Sequence, residues 1–453
     1  MACQVRHKSP CLGYALCGVE GSPEQPARTT WRRPMSALSR VTCLVLMVFL
    51  ATPASLLGAI EPESGRKSFA EGNVEIPAFA RKYKFSCSVC HAPIPRLTEF
   101  GNTFAGNGFE IAVEEEPRDT IDTGDPMLRL MKNVPLAIRF DGYAQANTLG
   151  DSDAVSNDLS FPWGIKLLSG GPIANKISYY VYFFLSERGE IAGLEDAYLQ
   201  FTDIGGSGVS VMAGQFQVSD PMFKRELRLE FEDYMLYRIR MGDARADLTY
   251  DRGVMVPFSP WKNGDWTLGI VNGQGLREAS ETRAYDRDNS KNLFARYSHS
   301  LGKLRLGVFG LYGKEDANSV SNEIVWFGPD ASLALWNWGE LNLQYLRRQD
   351  TRPFFDTPGA PTDTWANSVL AEVIWWPRGV NGRWYVAGLW NWIDASDPIV
   401  SLRINEQVFV QKYNALALDA SYLVWRNIRF TGEVAWDIER EGARLAIGVV
   451  SAF

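Results

Sequence analysis

The chain has 453 residues and a formal net charge of −7, with 12% aromatic residues but only three histidines and six cysteines. Its 46% hydrophobic and 22% charged residues exclude a wholly disordered chain, and the acidic balance argues against a nucleic-acid binder. After residue 60 the sequence has no run of about 18 apolar residues, which a membrane-spanning helix needs.

The first sixty residues have the layout of a secretory signal peptide. Residues 41–60 carry no charge, the run 43–51 is entirely apolar, three arginines precede it, and small residues that suit cleavage follow it. The alternative is an uncleaved anchor helix, but the apolar core is short for a span. We expect Met35 to be the true start, so that 1–59 is an N-terminal extension plus signal peptide. Four cysteines fall before the expected cleavage site: Cys3, Cys11, Cys17 and Cys43.

Cys87, Cys90 and His91 form a C-x-x-C-H motif, which in an exported chain is typical of c-type haem attachment. On a helical turn, positions i, i+3 and i+4 share a face, so both thiols can reach the vinyl groups of one porphyrin while the imidazole lies beside the iron. A redox dithiol would need a βαβ context, and a zinc site would need four ligands. The sequence favours one covalent haem c, with thioether bonds to Cys87 and Cys90 and with His91 as axial ligand.

The sixth iron ligand is left open by the sequence. Met127 and Met131 follow the haem segment and could each donate a thioether, although methionines more often pack in a core. Lys82, Lys84, a later methionine or a bound water could also fill this position. His299, the other histidine of the mature chain, falls within a predicted strand.

From residue 134 onward, apolar residues recur at every second position, which indicates strands with one apolar and one polar face. Leu304, Leu306 and Val308, for example, alternate with small or charged residues. The pattern predicts sixteen strands: 134–147, 159–169, 175–186, 192–203, 208–217, 246–257, 264–272, 290–301, 303–314, 321–337, 338–349, 363–376, 382–394, 408–425, 427–439 and 443–453.

Three features favour a transmembrane barrel over a soluble sandwich or barrel. Most of these strands are longer than the usual five or six residues and suit a tilted bilayer crossing. Aromatic residues such as Trp375 and Trp384 cluster near strand ends, as in interfacial girdles. The last strand ends on Phe453, which resembles the C-terminal strand by which bacterial outer-membrane barrels are recognised. We therefore predict a mainly β chain, with an antiparallel transmembrane β-barrel of about 16 strands over 134–453.

The connections between the predicted strands alternate in length, as expected for short periplasmic turns and longer outer loops. His299 shares strand parity with Leu293 and Tyr297, so we expect it in the girdle on the lipid-facing wall near the periplasmic rim and not on a haem. The longest outer connection, 218–245, has mixed charge. It is either a helix that folds into the lumen and narrows it, or a solvated surface loop.

The N-terminal motif resembles the fused outer-membrane monohaem cytochrome c–porin family, which includes outer-membrane cytochromes of iron-oxidising bacteria. The family has a Phe-Ala-Arg lead-in, C-x-x-C-H, Pro-x-Leu-Thr and a glycine-containing stretch, followed by a C-terminal barrel. The matching residues here are Phe79-Ala80-Arg81, Cys87 to His91, Pro95-Arg96-Leu97-Thr98, Gly101 and Asn107-Gly108-Phe109. The match covers about 35 residues, and the iron-oxidising members have a Gln-Thr-Gly where this chain has Lys82-Tyr83-Lys84.

The resemblance implies electron transfer across the bacterial outer membrane between an extracellular redox substrate, Fe(II) in the best-known members, and a periplasmic carrier such as a soluble cytochrome c. Residues 60–133 would then be a small, mostly helical or irregular cytochrome segment on the periplasmic side or in the lumen as a plug. If the protein acts as an enzyme, the implied activity is that of an iron:cytochrome c oxidoreductase. A solute porin with a haem-bearing plug is the alternative. A haem peroxidase is weaker, because the sequence offers no histidine for acid–base work at an open haem site.

Overall fold

The computed structural model describes most of the chain beyond residue 78, and these residues belong to one compact unit, Asn73–Phe453. The expected extension and signal peptide, with Met35, lie outside the described residues, as do Lys82 and Lys84. No helix among the described residues is long and apolar enough to cross a membrane. The described residues are 79, 83, 85, 87–91, 97–111, 120–125, 127–128, 130–131, 135–148, 157–222, 228–229, 231–317, 319–379, 382–402, 409–425 and 427–453.

The segment before the barrel contains two short helices and one small strand pair. Helix α1 spans Cys87–Cys90 and helix α2 spans Glu99–Gly106. Strands β1 (Thr120–Ile121) and β2 (Leu130–Met131) pair antiparallel, with Ile121 opposite Leu130. The described part of this segment therefore consists of short helices, one strand pair and irregular chain.

The remainder is a closed antiparallel barrel of sixteen strands, as predicted from the period-two pattern. Its strands are β3 (Leu136–Asn147), β4 (Asn157–Ala174), β5 (Ile177–Glu187), β6 (Gly193–Phe201), β7 (Val211–Gln217), β9 (Tyr250–Trp261), β10 (Gly264–Val271), β11 (Asn292–Leu301), β12 (Leu304–Ala317), β13 (Val320–Leu335), β14 (Gly339–Asp350), β15 (Thr364–Trp375), β16 (Trp384–Ala395), β19 (Lys412–Trp425), β20 (Ile428–Asp437) and β21 (Gly442–Ala452). Strand β21 pairs with β3, with Val449 opposite Gly142, and this pairing closes the ring.

Three further strands lie outside the barrel wall. They are β8 (Arg240–Met241), β17 (Val400–Ser401) and β18 (Phe409–Val410), which form a small sheet in the order β18-β17-β8. A single helical turn, α3 (Met235–Arg238), and a 3-10 turn, Ile204–Gly206, complete the regular elements.

The barrel wall has apolar residues on its outside, and many of its inward residues are polar or charged. Asn342, Glu372 and Asp419 are buried inside the barrel, with at most 1% of their surface exposed. Leu343 and Val373, on the outer wall, are 44% and 45% exposed. A surface of alternate apolar side chains facing outward needs lipid around it, so the barrel is a transmembrane one.

The two ends of the barrel differ in the length of their connections. One end, which we call the short-turn end, has the tight turns 175–176, 262–263 and 302–303. The opposite end, the long-loop end, carries the connections 218–249, 272–291, 351–363 and 396–411.

Aromatic residues ring the outer wall near the short-turn end. Trp384 packs against Tyr422 with ring centroids 4.8 Å apart, and Trp266 packs against Tyr297 at 4.9 Å. His299 lies beside Tyr297, whose hydroxyl is 3.2 Å from Nδ1 of the imidazole. The structure thus places His299 on the outer wall, as its strand parity predicts.

Candidate functional site

Helix α1 places the two motif cysteines at its first and last positions, three residues apart on one helical turn. His91 follows directly and forms an isolated antiparallel bridge with Leu97. The bridge turns the chain back, so that helix α2 begins beside the motif. The backbone thus places Cys87 and Cys90 one helical turn apart, with His91 directly after that turn.

Thr98 ties the motif to helix α2. Its backbone N–H donates to the Cys90 carbonyl oxygen at 2.8 Å, and its hydroxyl donates to the Val89 carbonyl oxygen at 2.8 Å. The same hydroxyl oxygen accepts from the backbone N–H of Gly101 at 3.1 Å, which makes Thr98 the N-cap of α2. One side chain thus satisfies groups of both helices, which explains the threonine of the Pro-x-Leu-Thr stretch.

Gly101 allows the closest approach between the two helices. A Cβ added at Gly101 would lie 2.2 Å from the Cys90 carbonyl oxygen, a distance that side-chain carbons essentially never show. The obstructing atom belongs to the backbone, so it cannot rotate away. A glycine at this position is therefore a packing requirement of the motif.

An aromatic cluster surrounds these two helices. Phe79 stacks on Phe109 at 5.0 Å and meets the edge of Phe104 at 5.1 Å, while Tyr83 meets Phe104 at 5.5 Å. Phe104 and Phe109 are both buried. Phe85 and Phe100 extend the cluster, with ring centroids 5.9 Å apart. The cluster thus provides an apolar environment beside the C-x-x-C-H motif.

Helix α2 lies against the inner wall of the barrel at the short-turn end. The Gly106 carbonyl oxygen accepts from Nε2 of Gln200 at 2.6 Å, and Phe109 stacks on Tyr180 with ring centroids 5.7 Å apart. A Cβ added at Gly108, which has φ +74°, would lie 2.9 Å from Oγ of Ser178. Ser178, Tyr180 and Gln200 all lie near the short-turn ends of β5 and β6, so the segment occupies this mouth of the barrel.

The donor set of this segment fits a c-type haem. Two thiols on one helical turn, an adjacent imidazole and an aromatic shell are the groups that covalent attachment and axial ligation need. Within the described part of the chain, no group of three or more His, Cys, Asp or Glu side chains converges as a metal site.

The two proposed sixth ligands lie in or beside the β1–β2 pair. Met127 is in the turn between the strands, and its side chain is 90% exposed. Met131 is on β2, opposite Thr120. Neither position decides between the two methionines, and the sixth ligand stays a prediction.

The connection between β7 and β9, which we call the lumen loop (218–249), folds into the barrel. Leu236, Tyr237, Ile239 and Leu248 are at most 1% exposed and share one apolar core with inward residues of the wall such as Trp326. The sequence left open whether this connection enters the lumen, and the structure answers that it does. Among the described residues of the loop, the helical ones are Met235–Arg238.

The lumen loop reaches the far wall of the barrel. Asn391 of β16 donates to the Asp233 carbonyl oxygen at 2.8 Å, and Tyr413 of β19 donates to Glu232 at 2.5 Å. In the ring order, six strands separate β9 from β16 and six separate β7 from β19. The loop therefore spans the full diameter of the lumen.

Glu232 is the centre of a buried polar network. Its carboxylate accepts from the Tyr413 hydroxyl and pairs with Arg444 of β21 at 2.5 Å. The backbone N–H groups of Phe231 and Glu232 donate to the Glu433 carboxylate at 2.9 and 2.6 Å. Burial raises the pKa of Glu232 above its ordinary range, because Arg444 and Tyr413 do not fully replace the lost hydration.

The pKa of the next loop residue, Asp233, is shifted in the opposite direction. Burial alone would raise its pKa, but Arg238 and Arg188, each 3.3 Å away, outweigh that effect and hold the pKa below its ordinary value. Arg228 of the same loop pairs with Glu187 of β5 at 2.6 Å. The pKa of Glu232 is thus raised, whereas the pKa of its neighbour Asp233 is lowered.

Further hydrogen bonds fix the rest of the loop to the wall. Tyr237 donates to Gln344 at 2.6 Å, and Tyr234 donates to Glu372 at 2.7 Å. Arg348 donates to the carbonyl oxygens of Ile239 and Ala246, which otherwise would lack strand partners. Sequence analysis did not single out these wall residues. The alternation along each strand could have identified them, because polar residues at the inward positions of a membrane barrel must face water or an inserted loop.

The barrel resembles solved porins. The anion-selective porin from Comamonas acidovorans aligns with a TM-score of 0.51 and 11% identity, covering 71% of this chain and 99% of that porin. OmpT, an outer membrane protein of Vibrio cholerae, aligns at 0.48 with 9% identity over 72% and 99% of the two chains. The outer membrane channel DcaP of Acinetobacter baumannii aligns at 0.46 with 12% identity over 71% and 97%.

No protein-family model matches the chain, and no curated protein is similar to it at a significant level. At such low identities the likeness to solved structures concerns the fold alone. The chain therefore has a porin-like, sixteen-stranded transmembrane barrel, joined to a short helical segment that carries a C-x-x-C-H motif.

Proposed function

We propose that this chain is a bacterial outer-membrane barrel that binds one haem c at its periplasmic mouth and transfers electrons between an extracellular redox substrate and a periplasmic carrier. The observation that carries the proposal is the arrangement of Cys87, Cys90 and His91 on a turn braced by helix α2 at the short-turn end of the barrel. Short turns face the periplasm in bacterial barrels. Outer-membrane porins share the fold, which supports this membrane as the location.

Each residue of the motif would have one task. Cys87 and Cys90 would hold the macrocycle through thioether bonds, and His91 would supply one axial nitrogen. The aromatic cluster around Phe104 would keep water from one side of the site. A bound haem c supplies a one-electron couple, and in this arrangement Thr98 and Gly101 hold the ligand-bearing turn at a fixed distance from helix α2.

The position of the segment matters because the apolar band of such a barrel is about 25 Å tall. A single redox centre that hung far below the barrel would be too remote from an extracellular donor. The contacts of Phe109 and Gly106 with β5 and β6 bring the segment within the mouth. A periplasmic carrier, such as a soluble cytochrome c, would then approach from the short-turn end.

A solute porin with a haem-bearing plug is the second candidate. It is favoured by the porin fold, which extends over 71% of the chain in the alignment with the anion-selective porin. The whole barrel supports the solute porin, whereas electron transfer is supported mainly by the C-x-x-C-H motif. In this function the lumen loop would be the constriction that selects solutes.

Three measurements test the haem and separate the candidates. Purified protein in detergent is examined by optical spectroscopy, and His91→Ala is compared with His299→Ala, which changes a histidine on the outer wall. Haem c binding predicts that only His91→Ala alters the reduced spectrum, and equal spectra from both variants would refute it. An impermeant reductant added to intact cells should then reduce the haem. An unchanged spectrum there, together with open-channel conductance in a planar bilayer, would select the porin function.

A further inference from the structure

The outer wall of four neighbouring strands carries a single row of charged residues. Strands β14, β15, β16 and β19 are described in full, and outward positions on them are apolar or uncharged except for Arg347, Asp394 and Lys412. These three residues are in register, because Arg347 pairs with Asn367, Asn367 with Asp394, and Asp394 with Lys412. Three charges in one row of an otherwise apolar wall indicate a function, since charged groups are costly beside lipid.

The two cations of the row lie in the outer part of the apolar band. Arg347 is eight positions along its strand from Gly339, which pairs with Trp375 near the short-turn end, and Lys412 is ten positions from Tyr422. At about 3.4 Å per residue and a tilt of about 40°, these intervals correspond to about 21 and about 26 Å along the membrane normal. The apolar band is about 25 Å tall, so both residues lie near its outer edge, at different depths, because residues in register lie along a line perpendicular to the tilted strands.

Arg347 is held in place for binding. Its NH1 donates to Oδ1 of Asn367 at 3.0 Å, and the same oxygen accepts from the Tyr345 hydroxyl at 2.8 Å. The guanidinium also lies 5.0 Å from the ring centroid of Trp365. A guanidinium has five N–H donors, and among the described residues no carboxylate lies within ion-pair distance of Arg347.

We propose that Arg347 and Lys412 form a binding site for a phosphate-bearing lipid of the outer leaflet. Guanidinium and ammonium groups are the side chains that bind phosphate most strongly. The two cations are three strand intervals apart, about 14 Å, which suits two phosphates on one large headgroup. Trp390 and Leu416, 38% and 50% exposed below the row, provide the apolar wall against which acyl chains would lie.

Asp394 sits between the two cations in register and lowers the net charge of the row to one positive charge. It limits the affinity for anions and keeps the two phosphate positions apart. The site is independent of the proposed haem and of the lumen, because every residue in it is on the outer wall. A failure of the haem proposal would leave it unaffected.

The experiment uses the full chain purified in detergent and measures lipid retention by native mass spectrometry. The probe is bisphosphorylated lipid A, compared with the same lipid after removal of both phosphates and with inorganic phosphate as a competitor. Arg347→Gln/Lys412→Gln should weaken binding by about tenfold or more, whereas Asp394→Asn should strengthen it. Lys314→Gln is the matched control, since Lys314 is an outward-facing base of β12 outside the row, and it should bind as the unaltered chain does.

Three results would overturn the proposal: equal retention of the dephosphorylated lipid, unchanged binding by the double variant, or displacement of lipid A by inorganic phosphate at equal concentration. Heat-dependent gel mobility reports whether each variant has folded. If the double variant does not fold, Lys412→Gln alone should still weaken binding about threefold, and the absence of that loss would refute the site.

Discussion

Gly101→Ala is the sharpest test of how the C-x-x-C-H segment is built. The new Cβ would lie 2.2 Å from the Cys90 carbonyl oxygen, and ordinary contact begins at 3.4 Å, so the two helices would have to separate by about 1.2 Å. Forcing one extra carbon into such a tight contact typically costs about 1–3 kcal/mol. The shift also lengthens the 2.8 Å bond from the Thr98 N–H to the Cys90 carbonyl oxygen.

The assay is native-state hydrogen exchange with the full chain in detergent. A loss of about 1–3 kcal/mol corresponds to about five- to more than a hundredfold faster exchange at the amides of Thr98 and Gly101. Exchange in the barrel strands should not change, because the barrel core does not depend on helix α2. Haem content after expression is the second readout and should fall with the loss of protection.

Gly106→Ala is the matched control within the same helix. A Cβ there meets nothing within 4 Å, so alanine should stabilise the helix by up to about 1 kcal/mol through its greater helix propensity. The two substitutions are thus expected to have opposite signs. Equal protection in both variants would refute the account of Gly101 as a close-approach residue.

Three further substitutions test the cap and the lumen loop. Thr98→Ala should destabilise helix α2 by about 0.5–2 kcal/mol through loss of the N-cap, measured by exchange. Tyr237→Phe should cost about 1–3 kcal/mol in thermal unfolding, because the amide oxygen of Gln344 would stay buried without its donor. Glu232 has a pKa that burial raises within the folded loop, so the folded loop binds its proton more tightly. Its docking should strengthen as pH falls and weaken as pH rises through that pKa. Glu232→Gln should remove this dependence, measured by proteolysis of the loop against pH.

Each of these expectations has a contradicting outcome. Thr98→Ser keeps the hydroxyl and should behave as the unaltered chain does, so a loss as large as that of alanine would argue against capping. A Tyr237→Phe chain that melts at the unaltered temperature would show that Gln344 finds another partner. A Glu232→Gln loop that keeps the original pH profile would assign the titration to a different group.

The sixteen strands could be predicted from the sequence because a barrel wall between lipid and a polar lumen imposes strict alternation on every strand. All sixteen predicted ranges correspond to strands, but their ends differ in places. Strand β4 continues to Ala174, five residues beyond the predicted end at 169, through two glycines and a proline that are typical of turns. These residues remain paired with β5, so tertiary pairing prevails over local turn preference here.

The start of β9 was predicted at 246 but lies at Tyr250. Ala246 and Leu248 alternate as strand residues do, yet both are buried in the apolar core of the lumen loop. A loop that packs inside a barrel acquires the same apolar periodicity as the wall that it contacts. Sequence alternation alone therefore could not separate the end of the loop from the strand that follows.

Within the candidate site, the C-x-x-C-H residues could be found from spacing alone, whereas the reasons for Thr98 and Gly101 required the packing of two helices. The lumen network was harder to predict. Glu232 and Glu433 are 201 residues apart in the chain, and only the ring closure of the barrel brings them together.

The position of Phe231 has a consequence for how the barrel is completed. Its ring packs on Tyr143 of β3 at 5.5 Å and in the same cluster as Ala446 and Val450 of β21. These are the first and last barrel strands in chain order, and their pairing closes the ring. One loop residue therefore contacts both strands of the closing pair from inside the barrel. The contact surface for Phe231 exists only after the seam has joined. Burial of the lumen loop therefore stabilises the closed barrel. We expect a barrel in which β3 and β21 have not yet paired to expose the loop to protease during assembly.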